Sequence, residues 1–243
     1  MPELSLAGLL GKRFIERRDV IAVQNPDGTY RPEERPFKMK DLEDHLAGTR
    51  SYGHYVLSPE STVRLFCFDV DVVKDKRDVF RGEDTPERRE LIATVRTITE
   101  CLTHYATHRF PGVETALVYS GNKGMHGYVF LPPGTPAADA RLAAIEVLET
   151  FSTNAPFQRV RGDHFWQHSI MTDVEIELFP KQDKIEAGHY GNLLRLPLGV
   201  NRKSKQEGFF VNPNYPFELL VADDPVRALT SGDPWAAPAA KGD

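Results

Sequence analysis

The chain has few cysteines and no long apolar segment, and each absence excludes a class of protein. Its only cysteines, Cys67 and Cys101, are too few for a zinc site of four thiolates, and we interpret both as buried thiols in a reducing compartment. No apolar segment approaches the ~20 residues that span a bilayer. Residues 1–11 lack the basic and apolar segments of a secretory signal. We therefore expect a cytoplasmic protein with no membrane partner.

An excess of positive charge is also lacking. The net charge of -5 argues against a protein that coats nucleic acid indiscriminately. A composition that is 40% hydrophobic and 27% charged is typical of a globular protein with an ordinary core. Its length allows one large domain or two small modules.

Turn residues and hydrophobic patterns divide the chain into three parts. Residues 1–60 are predicted to form an N-terminal α/β module and residues 61–221 a larger module. Residues 222–243, rich in Ala and Pro, are either a linker or a flexible tail. Patterns in the larger module predict strand, helix, strand, strand, helix, strand. This α+β order is that of an RRM-like (βαββαβ) unit, whose first strand lies between the third and the fourth.

Two threonine-proline pairs mark predicted helix starts. At Thr85-Pro86 and Thr135-Pro136, each threonine is expected to cap a helix with proline in its first turn. The second of these helices should end near residue 151. A long connection, residues 152–172, would then precede the last strand, and its length suggests a functional loop.

Acidic residues alternate along the first and fourth strands of this unit. Asp69 and Asp71 are two residues apart, so they share one face of a strand. Two carboxylates on one face repel each other, and a divalent cation is the ordinary way to neutralise them. Glu175 and Glu177 have the same spacing, and we favour Glu177 as a third ligand of two metal ions, with Glu175 in reserve. The alternative is an acidic strand edge that only discourages aggregation.

A glycine-containing turn lies between the second and third strands. In Ser120-Gly121-Asn122-Lys123-Gly124, the glycines let backbone N–H groups approach an anion closely. Lys123 adds a positive charge, and His126 at the start of the next strand would donate to a phosphate oxygen. The turn is not a P-loop, and a plain hairpin with a structural histidine is the alternative.

Basic residues later in the chain suit anionic ligands. Arg195 lies in an apolar segment and needs an anionic partner, which a triphosphate or a carboxylate would provide equally well. Arg202 and Lys203 follow in a loop suited to a phosphate backbone.

The long connection of residues 152–172 contains a second set of cations beside aromatic rings. Arg159, Arg161 and Trp166 have the combination that holds single strands by base stacking. The alternative is that Trp166 packs under the loop.

Together these motifs resemble those of the archaeo-eukaryotic primase (AEP) superfamily. The resemblance is carried by Asp69-Val70-Asp71, by Ser120 and His126, and by the acidic strand before Phe179-Pro180. It is closest to primases of TOTE conflict systems and to CRISPR-associated primase-polymerases. It extends through His45-Leu46-Ala47-Gly48 and covers about residues 14–205.

The resemblance implies an N-terminal α/β module packed on an RRM-like catalytic module, with template-dependent polymerisation of nucleoside triphosphates on single-stranded DNA. Two Mg²⁺ or Mn²⁺ ions are expected. No zinc is expected, because the cysteine-rich insertion of many relatives is lacking. Further C-terminal domains or CRISPR-associated proteins are candidate partners. The implied metal ligands are Asp69, Asp71 and Glu177, and the implied nucleotide-binding residues are Ser120, Asn122, Lys123, Gly124, His126 and Arg195.

The leading hypothesis is therefore a DNA primase-polymerase that synthesises primers and extends them. One alternative is a non-catalytic RRM-type module that binds single-stranded nucleic acid. The other is a metal-dependent nuclease, which shares the acidic cluster but has no need of a turn for a triphosphate.

Overall fold

A computed structural model describes residues 5–169, 173–211 and 229 of the chain. Its helices are α1 (Leu6–Phe14), α2 (Met39–Leu46), α3 (Arg77–Arg81), α4 (Pro86–Arg109) and α5 (Ala137–Ser152). Its strands are β1 (Ile21–Gln24), β2 (Tyr30–Glu33), β3 (Tyr52–Tyr55), β4 (Thr62–Val72), β5 (Glu114–Tyr119), β6 (Gly124–Pro136), β7 (Phe157–Arg161), β8 (Phe165–His168), β9 (Val174–Phe179), β10 (Leu193–Arg195) and β11 (Phe209–Phe210).

The strands form two antiparallel sheets. The larger has the order β11-β5-β6-β4-β9-β8-β7, and the smaller has the order β10-β3-β1-β2. In the larger sheet β4 lies between β6 and β9, as predicted for the first strand of an RRM-like unit. The α+β fold class predicted from the sequence is confirmed.

Strand β4 is buried on both faces over most of its length. Its even-numbered residues pack into a core with helices α4 and α5, and they are Phe66, Phe68, Val70 and Val72. Its odd-numbered residues pack into a second core with α1 and the smaller sheet, and they are Val63, Leu65 and Cys67. The odd-numbered face continues to Asp69 and Asp71, where the second core ends and a cleft begins.

The two threonine-proline pairs behave differently. Thr85 caps α4, because its hydroxyl accepts a hydrogen bond from the N–H of Arg88 at 3.2 Å. The expected cap at Thr135 is wrong. Thr135 pairs with Val63 in the sheet and its hydroxyl donates to the carbonyl of Pro132, so β6 runs to Pro136 before α5 begins. Pairing with β4 extends the strand through the residues that resembled a cap.

The two parts predicted on either side of residue 60 share a sheet. Strand β10 follows the RRM-like unit in sequence but pairs with β3 of the N-terminal part. The limits at residues 60 and 221 stay a prediction. The predicted tail, residues 222–243, lies outside the described residues except for Leu229, which is buried.

The long connection predicted at residues 152–172 contains a hairpin. Strands β7 and β8 pair with each other, and β8 pairs with β9, so the hairpin extends the larger sheet at one edge. Cys67 is buried as expected, whereas Cys101 is only half-buried. In the described parts of the chain, every helix is too short or too polar to cross a bilayer.

Replacing Phe68 with Ala should lower the free energy of unfolding by about 3–5 kcal/mol, because the ring is fully buried between the sheet and its helices. Leu142→Ala is the matched control, since Leu142 is 63% exposed and its loss should cost under about 0.5 kcal/mol. Urea denaturation of both variants measures the difference. Equal stabilities would contradict the assigned core.

Candidate active site

Antiparallel register gathers the acidic residues of two strands on one face of the larger sheet. Asp69 lies directly opposite Glu177, and Asp71 lies opposite Glu175. On the other side of β4, Asp69 lies opposite His126. Residues opposite each other in an antiparallel pair point to the same face. The structure therefore brings together the carboxylates and the histidine that the sequence singled out.

Gly124 allows β6 to begin beside Asp71. A Cβ atom at this position would lie 2.1 Å from the carbonyl oxygen of Val70 and 2.3 Å from Oδ1 of Asp71. The carbonyl oxygen of Val70 has no room to move away, because it belongs to the backbone of the neighbouring strand. A glycine is required here for the turn of residues 120–124 to approach the carboxylates.

Two lysines neutralise part of the acidic cluster. The Nζ atom of Lys123 lies 2.9 Å from Oδ2 of Asp71 and 2.9 Å from Oε1 of Glu175. The Nζ atom of Lys181 lies 2.5 Å from Oε1 of Glu177. Lys123, predicted to meet a triphosphate, thus contacts carboxylates in this structure.

Asp69 is the least satisfied member of the cluster. Its Oδ1 atom is buried without a hydrogen-bond partner, although Nε2 of His126 lies 3.4 Å away. Burial raises the pKa of Asp69 to about 7, and the charge of Glu177 adds to this effect. Burial likewise raises the pKa of Asp71 to about 7, with a contribution from Asp69. A charge that is costly to bury in this way attracts cations.

The carboxylates of this cluster also change the pKa of Lys123. Burial lowers it, but the charges and hydrogen bonds of Asp71 and Glu175 together outweigh burial, and the pKa of Lys123 is raised. The amine therefore stays protonated between its two carboxylates.

His126 is neutral and oriented by a tyrosine. Burial and then the positive charge of Arg195 lower the pKa of His126 to about 4. Its Nδ1 atom lies 2.8 Å from the hydroxyl of Tyr128. When that hydroxyl donates to Nδ1, the ring proton is on Nε2, which faces the acidic cluster.

Arg195 lines the same cleft but is held by carbonyl groups. Its Nη1 atom donates to the carbonyl of Gly199 at 2.8 Å, and its Nη2 atom donates to the carbonyl of Ser120. The side chain is buried, and burial lowers its pKa. Within the described residues, no carboxylate forms an ion pair with Arg195. The expected anionic partner is therefore not supplied by this part of the chain.

A cleft of about 320 Å³ connects these groups. Four of its wall residues carry a buried polar atom with no hydrogen-bond partner, and these atoms are Oη of Tyr30, Oδ1 of Asp69, Oγ of Ser120 and Oδ1 of Asn122. Such atoms are costly to leave unpaired. A polar ligand would satisfy them. Among the described residues, no three His, Cys, Asp or Glu side chains are arranged to hold a metal ion as they stand.

The basic residues predicted to contact nucleic acid lie in two places. Arg202 and Lys203 lie on a loop beside the smaller sheet, where the N–H of Arg202 donates to Oε1 of Gln24 and the stem of Lys203 packs over Gly28. Gln24 and Gly28 also line the cleft, so this loop borders it.

The other basic residues lie on the β7–β8 hairpin. Arg159 pairs with Glu149 and covers the ring of Trp166, and Arg161 covers Phe165 at 5.0 Å. Trp166 is only 4% exposed and belongs to the core of the larger sheet. It has no free face for a base, so the expected stacking role is wrong and the packing alternative describes it.

Sequence reasoning missed several residues of the cleft. Lys181 could have been found, because it follows the acidic strand closely. Gln24, Tyr30 and Asn201 line the cleft from the smaller sheet and its loop. They carried no signal in the sequence, since only the packing of the two sheets brings them to the carboxylates.

Comparisons with known proteins identify the family and the fold. The family model described as "TOTE conflict system, Archaeo-Eukaryotic Primase domain" matches residues 27–229. Among solved structures, the polymerase domain of Ligase D from Mycobacterium tuberculosis, in complex with DNA, has a TM-score of 0.54 and 14% identity over 93% of this chain and 85% of that chain. At this identity the likeness concerns the fold alone. None of the curated proteins matches the chain.

The fold and the family together define a nucleotidyltransferase domain of the primase and polymerase class. The chain belongs to the archaeo-eukaryotic primase domains of TOTE conflict systems. The resemblance to this superfamily seen in the sequence is confirmed.

Asp69→Asn should stabilise the metal-free protein at pH 8 by ~2 kcal/mol. The folded-state pKa of Asp69, about 7, exceeds its ordinary value of 3.8. The folded state therefore holds a proton that the unfolded state releases between these values, and stability falls as the pH rises through this window. Asn cannot carry the charge, so the variant avoids this loss.

Thermal unfolding in EDTA at pH 4 and pH 8 measures the effect. The higher stability of Asp69→Asn relative to the unchanged protein should be present at pH 8 and nearly absent at pH 4. Glu90→Gln, on the exposed face of α4, is the control and should change neither curve. A destabilised Asp69→Asn at pH 8 would contradict the raised pKa.

Proposed function

We propose that the chain is the catalytic domain of a DNA primase-polymerase, which joins nucleoside triphosphates on a single-stranded DNA template. One observation carries the proposal: the cleft that contains Asp69, Asp71 and Glu177 is also lined by Ser120 and His126. The acidic residues suit divalent cations, and the donors beside them suit a triphosphate. A nucleotidyl transfer needs both at once.

The carboxylates of the cleft suit Mg²⁺ or Mn²⁺. Both ions prefer oxygen ligands, and Asp69 has a buried oxygen with no partner. Asp69, Asp71 and Glu177 would hold the ions, because all three line the cleft, whereas Glu175 is not one of its wall residues. When bound, two such ions lower the pKa of a primer 3′-hydroxyl and stabilise the leaving pyrophosphate.

The other side chains of the cleft would bind and orient the triphosphate. His126 is neutral, and when the Tyr128 hydroxyl donates to Nδ1, its Nε2–H would donate to a phosphate oxygen. Arg195 brings a buried positive charge that no nearby carboxylate of the described residues neutralises. The unpaired hydroxyl of Ser120 can donate to a phosphate oxygen, whereas the unpaired Oδ1 of Asn122 is an acceptor and suits an N–H or O–H group of the nucleotide. Positioning and charge stabilisation of this kind account for most catalysis of phosphoryl transfer, so no nucleophilic side chain is needed.

Template binding is proposed at the border of the cleft. Arg202 and Lys203 lie beside the smaller sheet and would contact backbone phosphates. Arg159 and Arg161 are exposed on the β7–β8 hairpin. Arg161 lies opposite Phe165, on the face of Glu177, and would extend this contact, whereas Arg159 lies with Trp166 on the opposite face. Further C-terminal domains, CRISPR-associated partners and a cytoplasmic location stay predictions.

An unprimed single-stranded DNA template, labelled nucleoside triphosphates and Mn²⁺ test the function directly. New oligonucleotides of template-dependent sequence are expected. Shortening of the template would instead favour the nuclease. Binding of the template without synthesis or cleavage would favour the non-catalytic RRM-type module. Running the reaction with ribonucleotides and with deoxyribonucleotides identifies the preferred sugar.

Replacing both Asp69 and Asp71 with Asn should reduce synthesis to background, because the side chains keep their size but lose the charges that hold the metal ions. Gel analysis of labelled products measures the loss. The fold should persist, as judged by circular dichroism, and Glu90→Gln should retain full activity. Synthesis by the double variant would exclude the metal assignment.

His126→Ala should weaken nucleotide binding by ~10-fold or more, because a hydrogen bond to a charged phosphate group contributes about 1.5–3 kcal/mol. Affinity for single-stranded DNA should change little. Fluorescence anisotropy with a labelled nucleotide and a labelled oligonucleotide measures both. An equal loss of the two affinities would count against the role of His126 at the triphosphate.

A further inference from the structure

Helix α2 carries a histidine with no role in the site described so far. His45 belongs to the sequence His45-Leu46-Ala47-Gly48, and its side chain is completely buried. Burial lowers the pKa of His45 to about 4, so the ring is neutral at physiological pH. A neutral, fully buried imidazole needs one donor and one acceptor as partners.

Both ring nitrogens have such partners, and these define the tautomer. The backbone N–H of Tyr52 donates to Nδ1 at 3.1 Å. The proton must therefore be on Nε2, which donates to the carbonyl of Pro197 at 2.9 Å. The ring thus connects the N-terminal part of the chain to the loop that follows β10.

Gly199 of this loop lies directly against the ring. A Cβ atom there would lie 2.1 Å from Cε1 and 2.4 Å from Nε2 of His45. Only glycine lets the loop approach so closely. The carbonyl of the same residue, Gly199, accepts the 2.8 Å hydrogen bond from Nη1 of Arg195.

The loop has further anchors on the same side. The N–H of Leu196 donates to the carbonyl of Tyr52 at 3.1 Å, and the hydroxyl of Ser51 donates to the carbonyl of Val200. Residues 196–200 are therefore held by α2 and by the start of β3. The direction of the Arg195 guanidinium depends on where this loop lies.

We propose that His45 is a positioning residue that holds the loop of residues 197–199 and thereby directs Arg195 into the nucleotide cleft. The proposal rests on the proposed function, in which Arg195 binds the triphosphate. His45 does not reach the cleft itself. It acts through two links, Nε2 to Pro197 and the ring face to Gly199, and the carbonyl of Gly199 then holds the arginine.

Two conservative variants distinguish the effect of the hydrogen bond from His45 to Pro197 from the effect of burying the side chain. The Asn of His45→Asn can still accept from the N–H of Tyr52, but it is too short to reach Pro197. The longer amide of His45→Gln can reach the position of Nε2 and donate to Pro197. We expect ~10-fold weaker binding of a nucleoside triphosphate for His45→Asn, because a buried hydrogen bond is lost and the loop is freed, and recovery of most of that affinity for His45→Gln.

The measurement is nucleotide affinity by anisotropy, below the melting temperatures of all variants, with affinity for single-stranded DNA as the second readout. DNA affinity should stay within about twofold, because Arg202 and Lys203, although they follow the same loop, have an anchor of their own in the hydrogen bond from the N–H of Arg202 to Oε1 of Gln24. Unchanged nucleotide affinity in His45→Asn would overturn the proposal. A parallel loss of DNA affinity would also overturn it, because it would indicate general damage.

A double-mutant cycle with Arg195→Lys decides whether His45 acts through the arginine. If it does, adding His45→Asn to Arg195→Lys should cost no further affinity. If the double variant loses affinity by the product of the two single losses, the proposal is overturned. If Arg195→Lys alone binds nucleotide normally, the triphosphate role of Arg195 fails, and the inference about His45 fails with it. The Arg195→Lys variant alone therefore distinguishes failure of the triphosphate role of Arg195 from failure of the positioning role of His45.

Discussion

The mutual repulsion of carboxylates held on one face of a sheet governs the architecture of the site. Asp69 and Asp71 project from a strand whose opposite face is packed against two helices, so they cannot move apart. Glu177 is placed beside them by the register of β9. Burial raises the pKa of both aspartates, the charge of Glu177 adds to this at Asp69, and the charge of Asp69 adds to it at Asp71, so cations must balance the cluster. Lys123 and Lys181 supply that balance within the protein.

The same face of β4 serves two purposes along its length. Near its start it is packed against α1 and the smaller sheet, and near its end it opens into the cleft. The packing of the two sheets therefore determines how deep the cleft is and what lines it. Residues of the smaller sheet, such as Gln24 and Tyr30, become cleft residues without any pattern of their own.

Strand β10 connects the side of the cleft that Arg195 lines to the N-terminal part of the chain. It pairs with β3 and carries Arg195, whose guanidinium reaches the carbonyl of Ser120 in the larger sheet. One buried arginine thus contacts segments of both sheets. Any shift between the sheets would move this charge relative to the carboxylates, and the hydrogen bonds that anchor the loop after β10 oppose such a shift.

The sequence by itself determined which residues share a face and in what order the elements occur, because alternation along a strand and helical periodicity are local properties. These properties placed Asp69 and Asp71 together and predicted the central position of β4. Only the tertiary structure decided the secondary structure of Thr135, the burial of Trp166 and the hydrogen-bond partners of Arg195. Strand pairing and burial depend on segments distant in the chain. For this reason Thr135 is part of a strand and not a helix cap, Trp166 is packed in the core, and Arg195 donates to carbonyl groups.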